Sequence, residues 1–237
     1  EFATYSKENK LKPETGANSF NWDTEYDGAE RLDGMILWWA SLTGPKAVPG
    51  NYTVELDVNG TKQTQPITIQ RTPTSEATEA DMKAQFTFVN EVNETVDKAH
   101  KSIKNIRAFN KKLSAFKTVY GDREDAGVKE MVVMADSMKT KFDEVEKALY
   151  QTQNRSGQDP LNFPIKLTNK LAHLNSLVTM GDFGPTAQDV AVKNELTTQI
   201  NTELDKFNMV LNKDIKEFNT KFNALKLDYL VIEKEEE

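Results

Sequence analysis

The chain has 237 residues and a formal net charge of −7, from 30 Lys and Arg against 37 Asp and Glu, so it can bury a core in one or two domains, and its acid excess speaks against a nucleic-acid partner. Hydrophobic residues make up 38%, too many for a disordered chain; yet the longest apolar run, residues 35–40, falls far short of the ~20 residues of a spanning helix, and nothing at the N-terminus reads as a signal peptide. The absence of cysteine excludes disulfides, thiolate metal sites and cysteine nucleophiles, and two histidines are too few for a zinc site.

The first stretch reads as antiparallel β structure. Residues 2–5 have the pattern of a strand remnant, and Phe20 and Trp22 alternate with polar neighbours as on a one-sided strand. Residues 35–39 read as a short buried strand, in which the adjacent Trp38 and Trp39 must face opposite ways. Tyr52, Val54, Leu56 and Val58 alternate with Thr53, Glu55 and Asp57, and Asn59-Gly60 follows as a two-residue hairpin turn. The chain should return over residues 61–70 with Ile67 and Ile69 inward, as an edge strand because Pro66 has no N–H. An Ig-like sandwich takes about seven strands, so the expectation is a truncated one over residues 1–73, with the chain beginning inside a domain.

At Thr72-Pro-Thr-Ser75 the character changes, and residues 74–237 are expected to be an up-down four-helix bundle that folds by itself. Apolar positions from Met82 to Tyr120 recur at a mean spacing of about 3.5, after a capping-box variant at Thr78 and Asp81 and before a stop at Gly121. A second stripe runs from Val128 to Leu149 and breaks in the polar residues 151–160. A third helix carries Ile165, Leu167, Leu171, Leu174 and Val178. A fourth opens at Thr186 and Asp189 and continues through Val192, Leu196, Ile200, Leu204, Phe207, Leu211 and Ile215. The acidic end, 233–237, should fray.

Motifs that carry chemistry are scarce. The sequence contains no phosphate-binding glycine loop, no Gly-x-Ser-x-Gly elbow and no His-Glu-x-x-His helix. His100 and His173 read as helix-surface or groove residues, and acid pairs such as Glu144 with Glu146 or Asp23 with Glu25 arise by chance among 37 acids. Lys98, Lys101 and Lys104 interleave with Glu91, Glu94 and Asp97 as a solvated helix face. The candidate contact residues are therefore Trp38 and Trp39, whose indoles either cover an interface or stack on a sugar. No catalytic residue, metal or cofactor is expected.

Gly16-Ala-Asn18-Ser-Phe20-Asn-Trp22-Asp23, Tyr26-Asp-Gly28, the run from Gly34 through Trp38-Trp39-Ala40, Gly44-Pro45 and Val48-Pro-Gly50-Asn-Tyr52 together resemble the C-terminal region of secreted bacterial proteins with BNR-repeat, VPS10 (sortilin)-like β-propellers, often catalogued as glycosyl hydrolases. The first stretch also resembles the Ig-like domain of flagellar hook-assembly proteins. Residues 156–171, Ser-Gly-Gln-Asp-Pro-Leu-Asn-Phe-Pro-Ile onward, resemble the propeller family's tail. The propeller's Ser-x-Asp-x-Gly-x-x-Trp boxes would lie upstream, and none occurs here, so the resemblance carries no catalytic residue onto this chain. It implies an exported, periplasmic or extracellular, non-catalytic accessory module whose partner is the upstream β-propeller of the same protein, with a glycan or a protein as further ligand. The alternative is a carbohydrate-binding module using an exposed Trp, and a self-contained hydrolase ranks last.

Overall fold

The computed structural model describes Glu8 and residues 10–228; the expected strand remnant at 2–5 and the acidic end at 233–237 lie outside the described residues. Among the described residues the chain is mostly helical, with four helices packed together and one antiparallel β-hairpin. In order come β1 (Gly50–Val58), β2 (Thr61–Ile69), α1 (Glu79–Tyr120), α2 (Ala126–Leu149), a short 3₁₀ turn (Asp159–Leu161), α3 (Leu167–Val178), α4 (Ala187–Met209), a π-helical turn (Val210–Asp214) and α5 (Ile215–Ala224). Packing groups these elements into two compact units, each drawn from separated stretches of chain. The first takes residues up to Arg31, Trp39–Asp97 and Leu171–Glu195; the second takes Leu32–Trp38, Lys98–Lys170 and the chain from Leu196 on.

In the first unit the hairpin forms in the register its turn dictates. Asn59 and Gly60 both have positive φ, 54° and 86°, and the Gly60 N–H donates to the Asp57 carboxylate at 2.8 Å. Val58 therefore pairs with Thr61, and the ladder runs back to Gly50 with Ile69. No sandwich surrounds it: among the described residues the strands at 19–23 and 35–39 are absent, which corrects the sequence expectation. At Thr24 the chain takes a φ of 63°, and the Trp22 indole N–H bonds the Glu25 carbonyl at 3.0 Å, so a bend follows where a strand would continue. What remains of pairing is a narrow ladder between residues 24–29 and 42–47, closed by Tyr26 N–H to Pro45 (3.0 Å), Ala29 N–H to Leu42 (2.8 Å) and Ala47 N–H to Thr24 (2.7 Å). The two chains run so close that a Cβ on Gly28 would sit 1.8 Å from the Leu42 carbonyl oxygen, and one on Gly44 2.0 Å from that of Tyr26. Tyr26, Val48 and Phe86 form a buried cluster with Tyr52 against it, and this burial pushes the Tyr26 and Tyr52 phenols up.

The helix ends of this unit follow the capping chemistry in the sequence. Thr78 Oγ1 accepts from the Asp81 N–H at 3.1 Å while the Asp81 carboxylate accepts from the Thr78 N–H at 2.9 Å, and Thr186 and Asp189 repeat the arrangement at 3.2 and 2.8 Å. Hydrogen bonds from the Thr78 hydroxyl and N–H, with one from the Gly184 N–H, hold the Asp81 carboxyl below the ordinary carboxylate range. The ionised form is the bound form, so its stabilisation is present above the unfolded value of about 4 and is lost as pH falls through the depressed folded value. Asp81→Asn should accordingly flatten the acid limb of the melting-temperature profile below about pH 4; a profile as steep as that of the unaltered chain would contradict this. At the C-terminal end of α3, the buried Gln85 amide donates to the Val178 carbonyl (2.9 Å), which the helix terminus leaves open, and to the carbonyls of Gly181 (2.7 Å) and Phe183 (2.9 Å) in the loop that follows.

The second unit is built on the expected stripes. Val128, Met131, Ala135, Met138, Phe142, Val145 and Leu149 of α2 are all buried, as are Ala99, Ile103, Ile106 and Leu113 of α1. The expected fourth helix departs from a continuous α-helix at the π turn and then runs on to Ala224. Fifteen residues separate Phe207 from Phe222, about 60° beyond four full α turns, and the wider π turn takes up that excess. Phe222 is thereby buried with Tyr120, Val128 and Met131. Val192, expected in the same stripe, is exposed.

Candidate interaction site

Trp38 and Trp39 do differ in exposure, but no strand alternation causes it, because the chain bends at both residues. Trp38, in the second unit, is half-buried. Its N–H donates to Asn169 Oδ1 at 2.8 Å, and Asn169 Nδ2 donates back to the Trp38 carbonyl at 2.9 Å. The side-chain amide of α3 thus supplies the pair of hydrogen bonds that a neighbouring strand would have made. Close by in sequence, the Ile36 N–H donates to the Tyr150 hydroxyl at 3.1 Å, so helices satisfy this segment's backbone.

Trp39, in the first unit, is 73% exposed and holds a φ of +51°. A bulky residue in the left-handed region carries a cost of order 1–3 kcal/mol, which persists only where the surroundings impose it. Here His173 Nδ1 of α3 bonds the Trp39 carbonyl, and two residues on the Ser41 N–H donates to the Ala172 carbonyl at 3.3 Å. The Ser41 and Thr43 hydroxyls bond each other at 2.7 Å, and the Thr43 carbonyl accepts from the buried Asn93 amide at 2.9 Å. A depression of about 390 Å³ lies in this unit, lined by Gly28, Ala29 and Arg31 on one side and by Ala40, Ser41, Leu42 and Thr43 on the other. The lining of this depression offers hydroxyls and a guanidinium, which are groups for binding.

Two members of the acid pairs make structural contacts. Glu146 is buried and pairs with Arg107 at 2.8 Å, while Asp23 accepts the Glu25 N–H at 3.0 Å in a local turn. His100 is fully buried in α1, which corrects its reading as a surface or groove residue. Sequence reasoning missed Asn93 and Asn169 and read His173 only as a helix-surface or groove residue; these three hold the loops at 38–43. The available signal was polar side chains at helix positions that the apolar stripes flank on both sides, as with Asn93 next to Val92.

Comparison with family models, with curated proteins and with solved structures returns no match for this chain.

Proposed function

We propose that this chain is a non-catalytic accessory module of an exported, sortilin-like BNR-repeat protein, with its helices as an up-down bundle, and that it contacts the upstream β-propeller through Trp39. The resemblance in the sequence supplies the parent. The observation that carries the contact residue is the combination at Trp39 of an exposed indole and a backbone held at positive φ, since strain retained at an exposed aromatic points to a use for that side chain. A second reading, carbohydrate recognition, draws on the depression beside Ser41 and Thr43 with Arg31 on its wall.

The pair Trp39→Gly and Trp38→Ala tests both. Glycine adopts positive φ without strain and little burial is lost, so Trp39→Gly should leave stability within about 1 kcal/mol of the starting chain while abolishing docking to the propeller. Trp38→Ala should cost about 2 kcal/mol, because that indole is half-buried. Melting temperature, propeller binding and glycan-array retention are the measurements. Loss of a specific glycan by a stable Trp39→Gly chain would favour carbohydrate recognition, and retention of both ligands would remove Trp39 from either role.

A further inference from the structure

The hairpin exposes a face that β1 makes apolar. Opposed residues of an antiparallel pair share a face, so Tyr52, Val54, Leu56 and Val58 lie on the same side as Thr61, Gln63, Gln65, Ile67 and Ile69, while Thr53, Glu55, Asp57, Lys62 and Thr64 lie on the other. Val54, Leu56 and Val58 are nevertheless 48%, 50% and 54% exposed. Two strands alone are marginal in water, and a third strand or a packed face is what stabilises them.

The two edges of the hairpin differ. A two-residue turn makes Val58 and Thr61 a hydrogen-bonded pair, and alternation repeats this at Leu56 with Gln63, Val54 with Gln65 and Tyr52 with Ile67. The backbone groups of Asn51, Thr53, Glu55 and Asp57 therefore point away from β2 and make an uninterrupted edge. On β2 the same count turns Lys62, Thr64, Pro66 and Thr68 outward, and Pro66 has no N–H to offer. Among the described residues, no strand pairs with the outer edge of β1.

We propose that the outer edge of β1 docks antiparallel against β1 of a second copy of this chain, about a two-fold axis at Val54, to give a four-stranded sheet. Only odd-numbered residues of β1 point their backbone groups outward, so the symmetric registers are those centred on residues 53, 54, 55 or 56. Centring on Glu55 sets that carboxylate against its own copy, and centring on Leu56 sets Glu55 against Asp57 twice; like charges directly opposed are destabilising. Centring on Thr53 leaves Leu56 facing Gly50. Centring on Val54 places Glu55 opposite Thr53, Asp57 opposite Asn51, Leu56 opposite Tyr52 and Val54 opposite itself, so apolar side chains meet on one face and no like charges are directly opposed on the other. Because Pro66 interrupts the outer strands of the product, the assembly closes at two copies and does not propagate. This inference does not depend on the role of Trp39.

Sedimentation of the full chain over a dilution series should show a reversible dimer. Thr53→Pro removes an outward N–H of β1 and no bond of the hairpin, and should shift the chain to monomer with unchanged helical circular dichroism. Thr64→Pro makes the same change on the outer edge of β2 and should leave the dimer intact. The chain has no cysteine, so Val54→Cys introduces a single thiol, which should cross-link copy to copy on oxidation, whereas Val58→Cys should not. A chain that stays monomeric at every concentration would overturn the proposal. So would a dimer indifferent to Thr53→Pro, equal dissociation by Thr64→Pro, or cross-linking by Val58→Cys in place of Val54→Cys. A monomer that captures an added extended peptide of another sequence in a Thr53-dependent way would assign the edge to a foreign strand and equally remove the second copy.

Discussion

Phe142→Ala should lower stability by about 3 to 5 kcal/mol, at the upper end for a single substitution. The Phe142 ring is fully buried at the centre of the second unit, stacked on Phe109 with centroids 5.6 Å apart and set against Phe207 at 5.9 Å. Three rings borne on α1, α2 and α4 cannot all close onto a vacated site without shifting a helix, so most of the cavity would persist and add to the lost transfer energy. Val133→Ala on the same helix, where the side chain is 68% exposed, should stay within about 0.5 kcal/mol. Urea denaturation of both variants measures the contrast. Equal midpoints would mean that α2 does not bury this face in solution.

Deleting residues 1–73 should have a larger effect still, because that stretch supplies buried side chains and hydrogen-bond partners to both units. Within the first unit that stretch supplies Tyr26, packed edge-on against Phe86 at 5.4 Å, the buried Ala29 and Leu42, and the Thr43 carbonyl that satisfies Asn93. Within the second it supplies the buried Leu32 and Met35 and the Trp38 backbone that pairs with Asn169. At about 1.5 to 3 kcal/mol for each large apolar side chain withdrawn from water, the loss exceeds about 5 kcal/mol, and Asn93 and Asn169 lose the partners that the deleted stretch provides. A chain starting at Thr74 should keep much of its helical circular dichroism but melt at lower temperature over a broader range. A sharp transition at the original temperature would show instead that the bundle folds by itself, as the continuous seams and caps of the sequence suggest.

Local chemistry made the helices and the hairpin legible. The spacing of apolar residues along α1 and α2 is enough to identify the buried stripe, because a helix with one apolar face has a single way to bury it. Thr78 with Asp81 and Thr186 with Asp189 identify helix starts, since each pair satisfies its own N–H groups within four residues. Asn59-Gly60 does the same for the hairpin, where two positive φ angles in succession admit few residue types.

Only the tertiary structure decided what residues 19–48 become. Their alternation is that of strands, but a strand needs a neighbour for its backbone groups, and the neighbours turned out to be Asn169, Tyr150 and Asn93 on distant stretches of chain. Nothing local tells an amide that caps a loop from one that faces water. The exposure of Trp39 likewise follows from a φ of +51° imposed by its surroundings, and the π turn after Met209 from the need to bring Phe222 against Tyr120 and Met131. Composition and period therefore identified the helices and the hairpin, which close their hydrogen bonds within themselves, but read as a sandwich what the tertiary structure leaves as a hairpin and loops. The loops that present Trp39 close theirs through side chains far along the sequence, and only folding brings those together.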